Sequence, residues 1–339
     1  MKKAVITGER KAEIVEAADP VAKEDWVVVK VHVAPMCTEY KSWLKGTPSE
    51  NLGHEAVGEV VGVARPGRWN EGDRVVVHPK YSCGQCELCL AGDFIHCRSA
   101  RPFSEFTGGG EGSATYAQYL LKPSWQLAPI PDGVSYETAA LTLCALGPSF
   151  GALERMGVDA FDTVLVTGLG PVGLGAVVNC AFRGARVIGV DSVPWRAEKA
   201  KALGADAVVD PAGDDPLAEI NDLTSGRGVD AALDCAGVPA AERLCLDAAR
   251  TLGQVAFVGE CYEGQLAITV SPDLLRTGLT VHGSWHYNMN LYPKVLKVAT
   301  DSPVAKDLVS HRLCLDEVQK AFEISAGPEH AKIMLTPWG

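Results

Sequence analysis

Cys83, Cys86, Cys89 and Cys97 stand in a C-x2-C-x2-C-x7-C arrangement. That spacing lets one loop fold four thiolates around a tetrahedral ion. Four soft ligands leave no open coordination position, so the expected occupant is a structural zinc that staples the lobe 83–97 and takes no part in chemistry. A bacterial ferredoxin cluster needs a shorter last gap followed by Pro, whereas Arg98 follows Cys97 here. Unligated buried thiols are the plainer alternative.

A second chemical signature begins at Gly168-Leu169-Gly170-Pro171-Val172-Gly173, a G-x-G-x-x-G between a predicted strand at 164–167 and a predicted helix. Gly168 serves the tight turn, Gly170 lets a pyrophosphate approach the backbone, and Gly173 lets helix and strand pack closely. Pro171 and Val172 then open a helix whose N-terminus faces the phosphates. Asp191, 23 positions after Gly168, ends the next strand, where a carboxylate accepts from both adenosine ribose hydroxyls and repels a 2'-phosphate. NAD is therefore expected over NADP. Arg196 could soften that repulsion, and a bare capping role is the bland reading of Asp191.

Cys37, the pair His54-Glu55 and Cys144 are weak signals one at a time. A histidine in a β-rich domain is usually a satisfied core or surface residue, and Cys144 within an apolar run could be plain packing.

The elements that must position these groups fall into two textures. From 26 to 77 the chain is a series of β-branched runs, at 27–33, 58–63 and 74–77, broken by Gly and Pro. From about 164 strands alternate with Ala-rich helices, as in the strand 186–190 followed by the helix 196–204. Further strands are expected at 231–233, 254–258 and 280–282, and such alternation implies a parallel sheet flanked by helices, ending near Ser284. Residues 163–182 are uncharged and as long as a membrane span, but their glycines and proline divide them into strand, turn and helix.

With 339 residues, 47% hydrophobic and 22% charged, the chain is long enough for two domains with their own cores. A net charge of -11 disfavours nucleic acid and anionic lipid, so neither nucleic acid nor a membrane is an expected partner. The N-terminus reaches Gly8 and Glu9 too soon for a secretory core, and a cytoplasmic home is expected. Eleven cysteines in that setting argue for metal-binding thiolates over a disulfide framework.

The order Cys37, Gly53-His54-Glu55, the four-cysteine lobe, Cys144, the Gly168 fingerprint and Asp191 resembles the medium-chain zinc alcohol and polyol dehydrogenases over essentially the whole length. The resemblance implies an α/β plus β-rich fold: a GroES-like catalytic domain, 1–145, interrupted by a doubly wound Rossmann domain, 146–284, and completed by 285–339. It also implies two zinc ions per chain. Cys37, His54 and Cys144 match the catalytic zinc ligands, which leave a fourth position open, and Glu55 matches a neighbouring carboxylate that approaches the metal during ligand exchange. The implied chemistry is an alcohol made acidic on zinc and a hydride passed to the nicotinamide, or the reverse on a carbonyl. Lys332 matches a basic position that reaches the cofactor pyrophosphate in some relatives, with a solvated lysine equally plausible. The apolar run 279–281 matches the segment through which relatives pair, which implies a homodimer or homotetramer.

Two positions depart from the family pattern. Glu39 stands where a proton-relaying hydroxyl is usual, and Tyr40 replaces the carboxylate that orients the histidine ligand. Glu39 is accordingly expected to relay the alcohol proton, against the alternative of a solvated surface charge. Only sixteen residues separate Cys37 from His54, a short connection that suits an open substrate mouth. Trp43, Lys45, Tyr81, Trp285, His286 and Tyr287 are candidates for its rim or for packing. The leading expectation is an NAD-dependent dehydrogenase of a secondary alcohol, sugar, polyol or cyclitol. A primary-alcohol or aldehyde dehydrogenase is the runner-up, favoured by Cys144 as third ligand, and a non-catalytic dinucleotide-binding protein is the reading outside the enzymes.

Overall fold

The valine-rich runs become strands because β-branched side chains suit a pleated surface buried on one or both faces. In the computed structural model, which describes residues 1–100, 103–104, 114–261 and 263–339, the N-terminal strands are β1 (Lys2–Gly8), β2 (Lys11–Glu16), β3 (Trp26–Pro35), β4 (Ala56–Gly62), β5 (Arg74–Val77), β6 (Tyr119–Pro123) and β7 (Leu127–Pro129). The cofactor-type segment supplies β8 (Thr163–Thr167), β9 (Arg186–Val190), β10 (Ala207–Val209), β11 (Val229–Asp234), β12 (Ala249–Phe257) and β13 (Thr280–Gly283). Strands β14 (Val309–Cys314) and β15 (Lys332–Thr336) complete the chain.

These elements divide into two units, Met1–Leu143 with Asn288–Leu296 and Val309–Gly339, and Cys144–Tyr287 with Lys297–Leu308. The second unit thus takes 297–308, inside the stretch 285–339 expected to complete the catalytic domain. The physical reason is packing, since the turn Ala305–Leu308 lies against the helix Pro171–Arg183.

In the first unit β3 is the hub. It pairs antiparallel with β4, β6 and β15, so its residues are buried almost continuously. Among the described residues its sheet runs β14-β15-β3-β4-β5-β7, with β6 on β3 and a separate β1-β2 hairpin. The core beneath includes Val29, Val31, Trp43, Val60, Tyr116 and Phe322. A short helix, Tyr40–Lys45, interrupts the β-rich stretch and buries Trp43 against Phe322, ring centroids 5.8 Å apart. Trp43 is therefore core. Tyr81 is likewise stacked on Trp26.

In the second unit the described strands form one parallel sheet in the order β10-β9-β8-β11-β12-β13. This is the doubly wound order of a Rossmann fold, centred on β8 and β11. Leu165, Ile188, Val209, Ala232 and Val255 fill its core. Strands β11 and β12 are longer than their sequence signals, because cross-strand pairing extends them through residues of low β-propensity such as Asp230 and Gly253. His286 and Tyr287 are buried in this unit and stacked on each other, while Trp285 is half exposed and Lys45 of the first unit is exposed. No described helix is long and apolar enough to cross a membrane.

Candidate active site

Strand register brings the site together. Cys37 follows the end of β3, and His54-Glu55 directly precede β4. The antiparallel pairing of Val33 with Val57 sets the end of β3 beside the start of β4, so the segments that carry Cys37 and His54-Glu55 leave the sheet at the same edge. On the other side of β3, the pairing of Pro35 with Met334 carries Lys332 to the same level. Cys144 follows the helix Tyr136–Ala140 and is bonded to Leu143, the last residue of that stretch of the first unit. The ligand atoms of Cys37, His54, Glu55 and Cys144 all lie within 4.8 Å of one another. Two thiols and an imidazole at that spacing form a donor set suited to zinc with one position left over.

Glu39 holds the histidine. Its Oε1 is 2.5 Å from Nδ1 of His54, and its Oε2 accepts from the Tyr116 hydroxyl at 2.8 Å and the Cys37 amide at 3.2 Å. Burial alone would raise the Glu39 pKa, but the charge of His54 and the hydrogen bonds from His54 and Tyr116 overcome it and hold it at about 2. His54 moves the opposite way, well above its ordinary value, because Glu39 and Cys37 outweigh its desolvation. An ionised carboxylate only accepts, so Nδ1 carries the proton toward Glu39, and Nε2, 3.9 Å from Glu55 Oε1, is the nitrogen on the side of the other donor atoms. Glu39 is thus no solvated surface charge: its oxygens are engaged by three donors within the protein. Tyr40, freed from any carboxylate's work, packs on the hydrophobic core.

The placement of Tyr116 depends on Gly53. Gly53 has φ +83°, and a Cβ there would stand 2.4 Å from the Tyr116 ring and 2.2 Å from Thr115 Oγ1. Only glycine fits both the left-handed backbone and the ring crossing over it. Tyr116 carried no sequence signal; it lies 77 positions from Glu39.

Lys332 is buried at the same site. Its Nζ is 2.6 Å from Glu55 Oε1, with the two side chains 1% and 0% exposed, so it is not a solvated lysine. Burial lifts the Glu55 pKa to about 7, against the pull of Lys332.

The lobe cysteines also converge. Sγ–Sγ distances are 3.5 Å for Cys86–Cys89 and 3.9 Å for both Cys83–Cys89 and Cys86–Cys97. A tetrahedron with Zn–S bonds of ~2.3 Å has edges of about 3.8 Å, so the four thiols fit a zinc ion and are too far apart for disulfides.

At the nucleotide turn, Gly170 caps the helix Pro171–Arg183, with Pro171 and Val172 as its first residues. A Cβ at Gly173 would meet the Gly168 carbonyl oxygen at 1.9 Å, whereas one at Gly170 meets nothing within 4 Å, leaving room for a ligand's approach. Asp191 accepts from the Leu169 and Val193 amides at 2.8 and 2.9 Å, and Arg196 lies 3.6 Å away. Two accepted bonds leave the carboxylate capacity for more.

A GroES-like unit with this donor set, joined to a Rossmann unit, defines a zinc-type dehydrogenase. Residues 23–132 match the alcohol dehydrogenase GroES-like domain and 171–301 match the zinc-binding dehydrogenase domain, and the chain belongs to the medium-chain zinc-dependent dehydrogenase family of oxidoreductases. It is similar to the zinc-type alcohol dehydrogenase-like protein YphC of Escherichia coli (strain K12), 31% identical over 99% of this chain and 98% of that protein. It is similar to the sorbitol dehydrogenase of Bacillus subtilis (strain 168), 31% identical over 99% and 97%. Among solved structures, the alcohol dehydrogenase TADH from Thermus sp. ATN1 is alike at a TM-score of 0.91, with 26% identity over 99% of both chains.

Proposed function

We propose that this chain oxidises a secondary alcohol, sugar, polyol or cyclitol with NAD, or reduces the matching carbonyl. The observation that carries the reading is the convergence of Cys37, His54, Glu55 and Cys144 within 4.8 Å. Zinc on these donors supplies Lewis acidity toward an alcohol oxygen, and NAD supplies the hydride acceptor. Cys37, His54 and Cys144 hold the metal in this reading, and Glu55 stands beside it, held by Lys332. Cys83, Cys86, Cys89 and Cys97 hold a second, structural zinc. Gly168, Gly170, Pro171, Val172 and Gly173 receive the pyrophosphate.

The preference for NAD rests on Asp191, the residue directly after β9, whose negative charge opposes a 2'-phosphate. The preference for a hydroxyl-rich substrate draws support from the likeness to sorbitol dehydrogenase. A cytoplasmic homodimer or homotetramer belongs to the same reading. The test is NAD(H) turnover across simple alcohols, polyols, inositols and aminocyclitols, with NADP compared and a chelated control. Activity on hydroxyl-rich chains or rings with NAD is expected. Activity confined to simple primary alcohols would replace the substrate assignment, and silence from a zinc-loaded protein that binds NADH would replace the enzymatic one.

A further inference from the structure

We infer that Glu39 and Tyr116 act as a positioning pair for His54, with Tyr116 fixing the Glu39 carboxylate and Glu39 fixing the imidazole. The inference rests on the reading that Cys37, His54 and Cys144 hold zinc. Three contacts carry it: His54 Nδ1 to Glu39 Oε1 at 2.5 Å, Tyr116 hydroxyl to Glu39 Oε2 at 2.8 Å, and the Cys37 amide to the same Oε2 at 3.2 Å.

The geometry divides the carboxylate between two tasks. Oε1 faces Nδ1 of the ring, so that Nε2 is the nitrogen that would bind the metal. Oε2 is tied to Tyr116, whose ring is fully buried beside Phe322 and pinned over Gly53. A glutamate has three side-chain torsions to restrain, and the tyrosine hydroxyl and the Cys37 amide supply that restraint. The Cys37 amide also ties the carboxylate to the backbone of a ligand residue, so one side chain sets the relative placement of Cys37 and His54. Glutamate at 39, one position earlier than the usual carboxylate and one methylene longer than aspartate, thereby reaches the ring while Tyr40 turns into the core.

Zinc affinity reads this directly, without turnover. The purified chain is stripped of metal and titrated with zinc against a chromophoric chelator, alongside Glu39→Gln, Glu39→Asp, Tyr116→Phe and the Glu39→Gln/Tyr116→Phe double variant. The wild type is expected to take up two ions per chain. Glu39→Gln is expected to weaken the second by about 10–100-fold, since loss of a partner that orients a histidine ligand costs that much. Tyr116→Phe is expected to weaken it several-fold, and to add nothing in the Glu39→Gln background, because Tyr116 acts through Glu39. In cobalt-substituted protein both variants should shift the ligand-field bands, which mere destabilisation of the fold would leave in place.

Unchanged zinc affinity and cobalt spectra in folded Glu39→Gln would overturn the inference, as would a Tyr116→Phe effect of equal size in both backgrounds. Should Glu39→Gln fail to fold, Tyr116→Phe alone decides, with unchanged affinity counting against the pair. A wild type that takes up one ion only, at the four-cysteine lobe, would defeat the underlying zinc reading instead.

Discussion

Lys332 and Glu55 form an ion pair 2.6 Å long with essentially no exposure to water, and they are 277 positions apart in the chain. Removing one partner of such a buried pair leaves the other's charge less well compensated and costs about 3–5 kcal/mol, while replacing both with neutral groups costs far less. Lys332→Met should therefore lower the melting temperature sharply, and adding Glu55→Gln should restore much of it. Equal melting temperatures for the wild type and Lys332→Met would show that the pair contributes nothing.

His78 supplies the pH dependence. It is fully buried, and desolvation, reinforced by the charge of Lys122, brings its pKa down to about 3. In the unfolded chain it titrates near 6.5. Between those values the unfolded state binds a proton that the native state does not, so stability falls as pH drops from about 6.5 towards 3, by up to about 1.4 kcal/mol per pH unit. His78→Phe, which keeps an aromatic ring against Phe94 and Tyr292, should flatten denaturant-derived stability over that window by one proton's worth. Identical slopes would refute the assignment.

In the proposed function, cofactor choice turns on Asp191. Asp191→Ala should reduce kcat/KM for NAD by about 10–100-fold, the worth of one or two hydrogen bonds to a charged group, and shift the NAD-to-NADP ratio towards NADP. The variant should also lose some stability, because the Leu169 and Val193 amides lose their acceptor. An unchanged ratio would mean that Asp191 does not face the ribose.

The four-cysteine lobe should be separable from the catalytic cluster. Cys97→Ser is expected to lower bound zinc from two ions per chain to one and to make 83–97 sensitive to protease, since a structural zinc supplies folding free energy. Cys37→Ser should remove the other ion and leave the lobe resistant. Metal analysis paired with limited proteolysis distinguishes the two.

Gly53→Ala forces a left-handed residue and drives a methyl group into the Tyr116 ring. A loss of at least about 2 kcal/mol is expected from strain and overpacking together. A Gly53→Ala protein with wild-type stability and zinc affinity would show that the ring has room to move.

What the sequence determined by itself was whatever short-range spacing encodes. The four-cysteine loop, the Gly168–Gly173 turn and the carboxylate of Asp191 at a strand end are local patterns, legible because their geometry is set within a few residues or one βαβ unit. The alternating texture after 164 announced a parallel sheet for the same reason. Tertiary structure decided everything that depends on strand register. Lys332 reads equally well as a solvated lysine until β15 is paired with β3, which sets it, buried, on Glu55. Glu39 reads equally well as a solvated surface charge until the fold buries it, with Oε1 on His54 Nδ1 and Oε2 on the Tyr116 hydroxyl that lies over Gly53. A contact across 77 or 277 positions leaves no periodicity in the chain; it exists only because pairing and burial bring those residues to one level, where an unpartnered charge would be too costly to keep.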